Sequence, residues 1–304
     1  MNEVHSVSVV IPAFNEEEWV AVAIESALHQ DPAPVEVIVV DDGSTDGTAD
    51  VAARHEGVTV VAQHNQGLAG ARNTGASRAK GESIMFLDAD DELEPGALQA
   101  FTRAAVDNPG CGAVISNYVK VRPGGADAAW PRAAASRVID RSDVAGLVRK
   151  NWLQANALVR AEIWRRFPYR EGMLKDLDLW LRMLFEGVPI VVLGRPLVRV
   201  TAERPQALTS RTALMRANRR RTFNWVWERN DLTSVERGLV AYQLARTSAG
   251  EVVARAGEDG AVEKVAVQSL GADDNPVVRW TMRAMSLPGA LSLAVRLDRG
   301  PRRT

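Results

Sequence analysis

Residues 7–11, VSVVI, form an apolar run that ends at Pro12, and the NEEEWVAVAIESALHQ that follows places Val20, Ala23, Ile24, Ala27 and Leu28 at helical spacing. A strand followed by an amphipathic helix is predicted, with Asn15 as its cap and Glu18 three residues on to complete a capping box. The pattern then repeats. VEVIVV (35–40) precedes a helix near 46–55, VTVV (58–61) a helix near 68–80, and SIMFL (83–87) a helix from about Pro95. This alternation predicts an α/β fold with a mainly parallel sheet flanked by helices.

Beyond Gly110 the alternation weakens, and the Gly/Ala/Pro-rich stretch 123–136 reads as a surface loop. KDLDLWLRMLFEG restores a helix, its stripe formed by Leu177, Trp180, Leu181, Leu184 and Phe185, with Asp178 and Arg182 paired at i,i+4 on the other side. From about residue 205 the chain reads as mostly helical. The expected organisation is therefore a domain over 1–204, with halves at about 1–110 and 111–204, and a C-terminal extension over 205–304.

Charge supports that division. The 304 residues carry a net charge of −1, yet residues 205–304 hold 16 Lys and Arg against 10 Asp and Glu, leaving the first 204 at −7. The chain is 46% hydrophobic and 25% charged, enough to bury a sizeable core. Its single cysteine, Cys111, excludes an internal disulfide and has no evident His partner, so it reads as an inert thiol. The first ten residues lack a basic leader and a long apolar core, and no stretch approaches the roughly 20 apolar residues of a membrane-spanning helix. A cytoplasmic location is expected.

In open parallel sheets ligands bind beyond the carboxyl ends of the strands. Three such ends are distinctive here: Pro12 to Asn15, Asp41 to Ser44, and Asp88 to Asp91. A dinucleotide fingerprint is excluded, because IPAFNE after the first strand has no glycine and GLAGARNTG has the wrong spacing. A phosphate-binding loop of the GxxxxGK type is absent as well. An EF-hand starting at Asp88 fails, since Leu93 and Gln99 stand at its glycine and glutamate positions. What remains is Asp-X-Asp at a strand end, a donor set suited to a hard divalent cation shared with substrate phosphates, or to plain helix-capping acids.

Four blocks, VSVVIPAFNEEEWVAVAIESALHQ, EVIVVDDGSTDGTADVA, HNQGLAGARNTGASRAKGESIMFLDADDELEPGAL and KDLDLWLRMLFEG, resemble in order and spacing the family 2 glycosyltransferases. The resemblance covers residues 6 to about 200. It implies a GT-A fold that transfers a sugar from a nucleotide-diphosphate donor with inversion, assisted by Mn²⁺ or Mg²⁺. Carried over, Pro12, Ala13, Phe14, Asn15 and Glu16 line the base and ribose, and Asp42 bonds the base, which fits a UDP-sugar. Asp41 supports the turn or the sugar. Arg72 stands where the family keeps a cation near the donor, and Gly67 and Gly70 allow close approach. Asp88 meets the ribose or a metal-bound water, Ala89 lines the donor, Asp90 ligates the metal, and Asp91, Glu92 and Glu94 support the turn and the next helix.

By the same resemblance Asp176 is the general base. Here the chain departs from the pattern, because Lys175 stands where the family has glutamate. A cation there favours ionised Asp176 but weakens it as a base, or it binds an anionic acceptor. A Tyr-Arg pair usual after the last family strand is also missing, with Arg199 or Arg204 as substitutes. The acceptor is left open between a glycan, a lipid-linked and a small-molecule hydroxyl. Lys175 also motivates an alternative, a catalytically silent nucleotide-sugar-binding or scaffold subunit.

RANRRRTFNWVWER (216–229) combines Arg219, Arg220 and Arg221 with Trp225 and Trp227. No nucleic-acid motif accompanies it, so nucleic acid is not an expected partner. A helix docked on its own domain, peripheral contact with the inner membrane face and homodimer packing stay open. The amphipathic 285–297 is too short to span a bilayer.

Overall fold

The computed structural model describes residues 5–121, 128–130, 135–201, 212–256, 275–278 and 281. The expected alternation is present: β1 (Val7–Ala13), α1 (Val20–Leu28), β2 (Glu36–Asp41), α2 (Thr48–Ala53), β3 (Val58–Ala62), α3 (Gly67–Arg78) and β4 (Ser83–Phe86). Next come β5 (Asp91–Leu93), α4 (Ala97–Asp107), β6 (Ala113–Val121), β7 (Ala128–Trp130), β8 (Arg137–Ile139) and α5 (Val144–Arg149). β9 (Ala157–Arg160), α6 (Ala161–Arg166), α7 (Lys175–Phe185), β10 (Ile190–Thr201), α8 (Thr212–Trp227) and α9 (Ser234–Ala256) complete the order.

The sheet runs β3-β2-β1-β4-β9-β6-β10-β5, with β7 on β6 and β8 on β10. β1, β2, β3 and β4 pair in parallel, whereas β9 enters antiparallel between β4 and β6. All seven residues of β1 are buried, as a strand with neighbours on both edges and covered faces requires. Pro12 does not end it. Odd-numbered residues of β1 bond β2 and even-numbered ones bond β4, as Asp42 N–H to Ala13 O and Leu87 N–H to Val10 O show. Pairing with β4 stops at Val10 opposite Phe86, so the N–H that proline lacks costs no ladder bond.

Helix α3 lies close against β1 and β2 because Gly75 leaves room: a Cβ there would stand 2.4 Å from Val10 Cγ1 and 3.1 Å from Val40 Cγ2. The core behind the crevice is built from Val9, Ile11, Ile24, Val37, Val39, Met85, Leu87 and Phe101. Helix α7 is buried nearly all round, because Leu179 and Met183 join the expected stripe. The Asp178–Arg182 pair is therefore not a solvated one. Asp178 is fully buried, Arg182 Nε bonds it at 3.0 Å, and Arg170 bonds both its oxygens.

Several sequence expectations need correction. Asn15 does not cap α1, which starts at Val20; its φ is 56°, and its side chain accepts from the Thr45 backbone N–H at 2.8 Å. Part of the Gly/Ala/Pro-rich stretch, Ala128–Trp130, is a strand on β6. Glu92 and Glu94 do not serve α4, whose first turn holds no acid; both pair with Arg199 of β10, at 3.4 and 3.6 Å. Cys111 is buried, and burial pushes its thiol pKa up, in keeping with an inert thiol.

The chain forms two compact units, one of residues 1–144, 152–171 and 175–204, the other of 145–151, 172–174 and 205–304. In the second, α8 and α9 bury Phe223, Val226, Val240, Leu244 and Ala249. Gln243 Nε2 bonds the carbonyls of Val148 and Arg149, and Thr222 Oγ1 accepts from the Leu174 N–H. Part of the basic run is satisfied internally, with Arg220 3.6 Å from Glu251 and Arg229 against the Trp225 ring. Among the described residues no helix is long and apolar enough to cross a membrane. Arg204 and residues 285–297 lie outside the described residues.

Candidate active site

The strand order reverses at β1, since β2 follows it on one side and β4, reached later through α3, on the other. The crevice at that reversal is where a ligand of an open α/β sheet sits. The loop after β1 is laced to the loop after β2. Asn15 N–H donates to Ser44 Oγ at 3.0 Å, Glu16 N–H to Thr48 Oγ1 at 2.8 Å, and Glu17 accepts from Gly47 N–H at 2.7 Å. Pro12 and Ala13 are buried beneath this lacing, while Phe14 stays 39% exposed at the lip.

Behind β2, Asp41 Oδ1 accepts from Ser44 N–H at 3.1 Å and so holds the turn. Asp42 is buried and reaches the other way. Its Oδ1 accepts from Gln63 Nε2 at 2.7 Å and from Gln66 N–H at 2.8 Å, fixing the entry to α3. There Gly67 adopts φ +75° with open space around its Cβ position, as a tight turn into a helix requires. Gly70 differs from expectation: the Gln66 side chain fills its free side, so it leaves no room for a ligand.

Arg72, one turn before Gly75, is the hub. Its guanidinium is 1% exposed; Nη2 donates to Asp88 at 2.6 Å and Nη1 to Asp176 at 2.8 Å. Burial opposes its charge, but Asp88 and then Asp176 outweigh that and hold its pKa above the ordinary value. The Tyr169 ring covers the guanidinium at 5.0 Å and packs edge-on to Phe86. Tyr169 is itself clamped by Asn73, which donates to the Tyr169 carbonyl at 2.8 Å and accepts from its N–H at 3.0 Å.

The acids after β4 divide by environment. Ala89 is buried, and Asp88 and Asp90 are half-buried. Asp91 is buried, accepting from Asn156 Nδ2 at 2.6 Å and from Thr201 N–H at 3.1 Å. Burial first, then Asp90 and Asp88, push the Asp91 pKa well above the usual carboxylate range. Asn156 also accepts from the Asp88 N–H at 2.8 Å, so one amide ties both acids to the start of β9.

Asp176 and Lys175 open α7. Asp176 Oδ1 faces Arg72 and the side chain is 28% exposed. Lys175 feels Arg72, Asp176, Asp88 and Asp42 together; burial foremost, then Arg72, pull its ammonium down to about 8. The structure thus brings Arg72, Asp88, Asp176 and Lys175 together, while Arg199 is held by Glu92 and Glu94. Tyr169, Asn156 and Gln63, which lie outside every motif, and Asn73, which lies inside GARNTG, contact these residues or one another.

Residues 8–172 match the family model described as glycosyl transferase family 2. The chain belongs to that family. Among curated relatives, it is 30% identical over 187 residues to the uncharacterized glycosyltransferase EpsJ of Bacillus subtilis (strain 168), covering 57% of this chain and 52% of that one. It is 34% identical over 139 residues to the hyaluronan synthase of Pasteurella multocida, covering 43% and 14%. The chain thus spans about half or less of the length of the curated relatives it matches. A solved structure of S. aureus TarS 1-349 in complex with UDP-GlcNAc superposes with a TM-score of 0.66 at 16% identity, covering 97% of this chain and 90% of that one. The family 2 chain therefore has the GT-A type fold that its motifs imply.

Proposed function

We propose that this chain transfers a sugar from a nucleotide-diphosphate donor, a UDP-sugar, to an acceptor hydroxyl with inversion, in the biosynthesis of a polysaccharide or other glycoconjugate. The observation that carries the reading is the Asp88–Arg72–Asp176 bridge at the strand-order reversal, which fixes an acid of the donor end and an acid of α7 on one rigid cation. The naming of TarS with UDP-GlcNAc, and of the hyaluronan synthase among the relatives, supports donor and reaction class.

The exposed Phe14 ring offers a face for the base, and Asp42 keeps a second oxygen for the uracil imide N–H. Asp176 acts as general base. Its Oδ1 is held by Arg72, and among the described residues Oδ2 has no hydrogen-bond partner, which leaves it to the acceptor hydroxyl. In the step, the acceptor oxygen bonds the anomeric carbon, the bond from that carbon to the diphosphate oxygen breaks, and the hydroxyl proton passes to Asp176.

A site for Mn²⁺ or Mg²⁺ would fall among the acids after β4. Among the described residues no three acidic, His or Cys side chains converge on one point, Arg72 holds one oxygen of Asp88, and Asn156 and Thr201 occupy Asp91. Burial foremost, then Asp90 and Asp88, raise the Asp91 pKa, so the three acids lie close enough to act on one another. Asp90 and the other oxygen of Asp88 would hold an ion of the kind that takes one or two protein carboxylates together with substrate phosphates. When bound it neutralises charge on the departing diphosphate.

The test is purified protein with Mn²⁺ and UDP-GlcNAc or related UDP-sugars. Slow UDP release, accelerated by a glycan or lipid extract and lost in Asp176→Asn, is expected. UDP binding with neither hydrolysis nor transfer would instead identify a silent binding subunit.

A further inference from the structure

We infer that Lys175 is a specificity-determining residue: its ammonium takes an oxyanion of a substrate, from the donor's diphosphate or from an acidic group beside the accepting hydroxyl. The inference deepens the transferase reading and rests on it.

Lys175 is half-buried at the first position of α7 and adjoins Asp176. Among the described residues its ammonium makes no hydrogen bond and no ion pair within 4 Å, whereas Arg72, Arg170, Arg182 and Arg199 each do. Arg72 is matched by Asp88 and Asp176, Arg170 and Arg182 by the buried Asp178, and Arg199 by Glu92 and Glu94. The position is unfavourable three times over. The N-terminal end of a helix repels a cation. Partial burial disfavours its charge, and the Arg72 guanidinium adds like-charge repulsion.

A short apolar side chain would relieve all three at once. The charged lysine is therefore held there at a cost, which an arriving anion would offset. The carboxylates that act on it from beyond 4 Å, Asp176, Asp88 and Asp42, each give one oxygen to another partner, Asp88 and Asp176 to Arg72 and Asp42 to Gln63 and Gln66, and none reaches the ammonium. Phosphate and carboxylate oxygens share the chemistry the ammonium requires, a compact negative charge with several acceptor lone pairs.

Full-length wild type, Lys175→Met, Lys175→Gln and Lys175→Arg are titrated calorimetrically with uridine and UDP in Mn²⁺. Transfer from UDP-GlcNAc is then compared between acceptors matched except for charge, 4-nitrophenyl β-glucuronide against the β-glucoside and glycerol 3-phosphate against glycerol. If the anion is the donor's, Lys175→Met and Lys175→Gln lose about 10- to 100-fold in UDP affinity while uridine is unaffected and Lys175→Arg is nearly normal. If it is the acceptor's, UDP affinity holds and the preference for the charged acceptor disappears with the neutral variants. Equal UDP-to-uridine and charged-to-neutral ratios in wild type, Met and Gln variants would overturn the inference while leaving the transferase reading intact. Failure of the wild type to bind UDP or any of GDP, ADP, CDP and TDP would overturn both. A melting temperature in Lys175→Met at or above wild type is expected; a fall would show a structural partner for the lysine and sink the proposal.

Discussion

Asp88 and Asp176 share one guanidinium: Arg72 bonds the first through Nη2 at 2.6 Å and the second through Nη1 at 2.8 Å, from a position that is 1% exposed. Neither acid can shift without disturbing the other. Removing one member of a buried charge network leaves the rest unpaired, at a cost of about 3–5 kcal/mol. Arg72→Met is expected to lose that much stability in urea unfolding. Arg72→Lys keeps the charge but cannot span both acids, so it should fold and yet lose transfer activity.

Asp176→Asn preserves shape and removes proton acceptance. A drop in kcat of about 10²- to 10⁴-fold is expected, with UDP affinity changed less than about twofold, read by initial rates and calorimetry. A parallel loss of UDP affinity would place Asp176 in donor binding instead.

Asp90→Ala should abolish the part of UDP affinity that depends on Mn²⁺ and leave uridine binding as it was. Retention of the Mn²⁺ effect would remove Asp90 from the ion's ligands.

For Lys175, the folded-state value of about 8 lies below the ordinary 10.5. The unfolded chain therefore binds more protons than the folded one between those values, and the contribution of this group to stability rises with pH across that window. The melting-temperature advantage of Lys175→Met over wild type should be largest at pH 7 and below, and should vanish as pH rises from about 8 towards 10.5. A pH-independent difference would contradict the burial of the ammonium.

Gly75→Ala drives a methyl to 2.4 Å from Val10 Cγ1, deep in the β1–β2 face. Overpacking of this kind costs about 1–3 kcal/mol. Because α3 must lift off the sheet, Arg72 moves with it, so activity should fall together with stability; loss of stability alone would show that the hub tolerates the shift.

The first four strands and their helices were legible because apolar runs and helical spacing are local signals, and β1 to β4 match them within a few residues. Pro12 misled as a strand end because the side of the strand on which its N–H is missing depends on β4, a tertiary fact. Asn15 misled as a cap because the Thr45 N–H that it serves lies in another loop. Family motifs pointed to Arg72, Asp88 and Asp176, but not to one bridge among them. Tyr169 and Asn156 were invisible, and Asn73, though inside GARNTG, gave no sign of its clamp, since an aromatic shield and amide clamps have no spacing of their own. Glu92 and Glu94 looked like helix acids until β10 supplied Arg199 opposite them.

Strand β9 runs against both its neighbours, β4 and β6. A parallel strand presents to the crevice only the chain that leaves it, whereas a reversed strand presents the chain that enters it. Asn156, the residue before β9, reaches the Asp88 and Asp91 edge for that reason alone. The reversal feeds the crevice from a second direction in sequence. Changes in the segment leading into β9 can therefore retune the acidic edge without passing through the loops that follow β1 and β2.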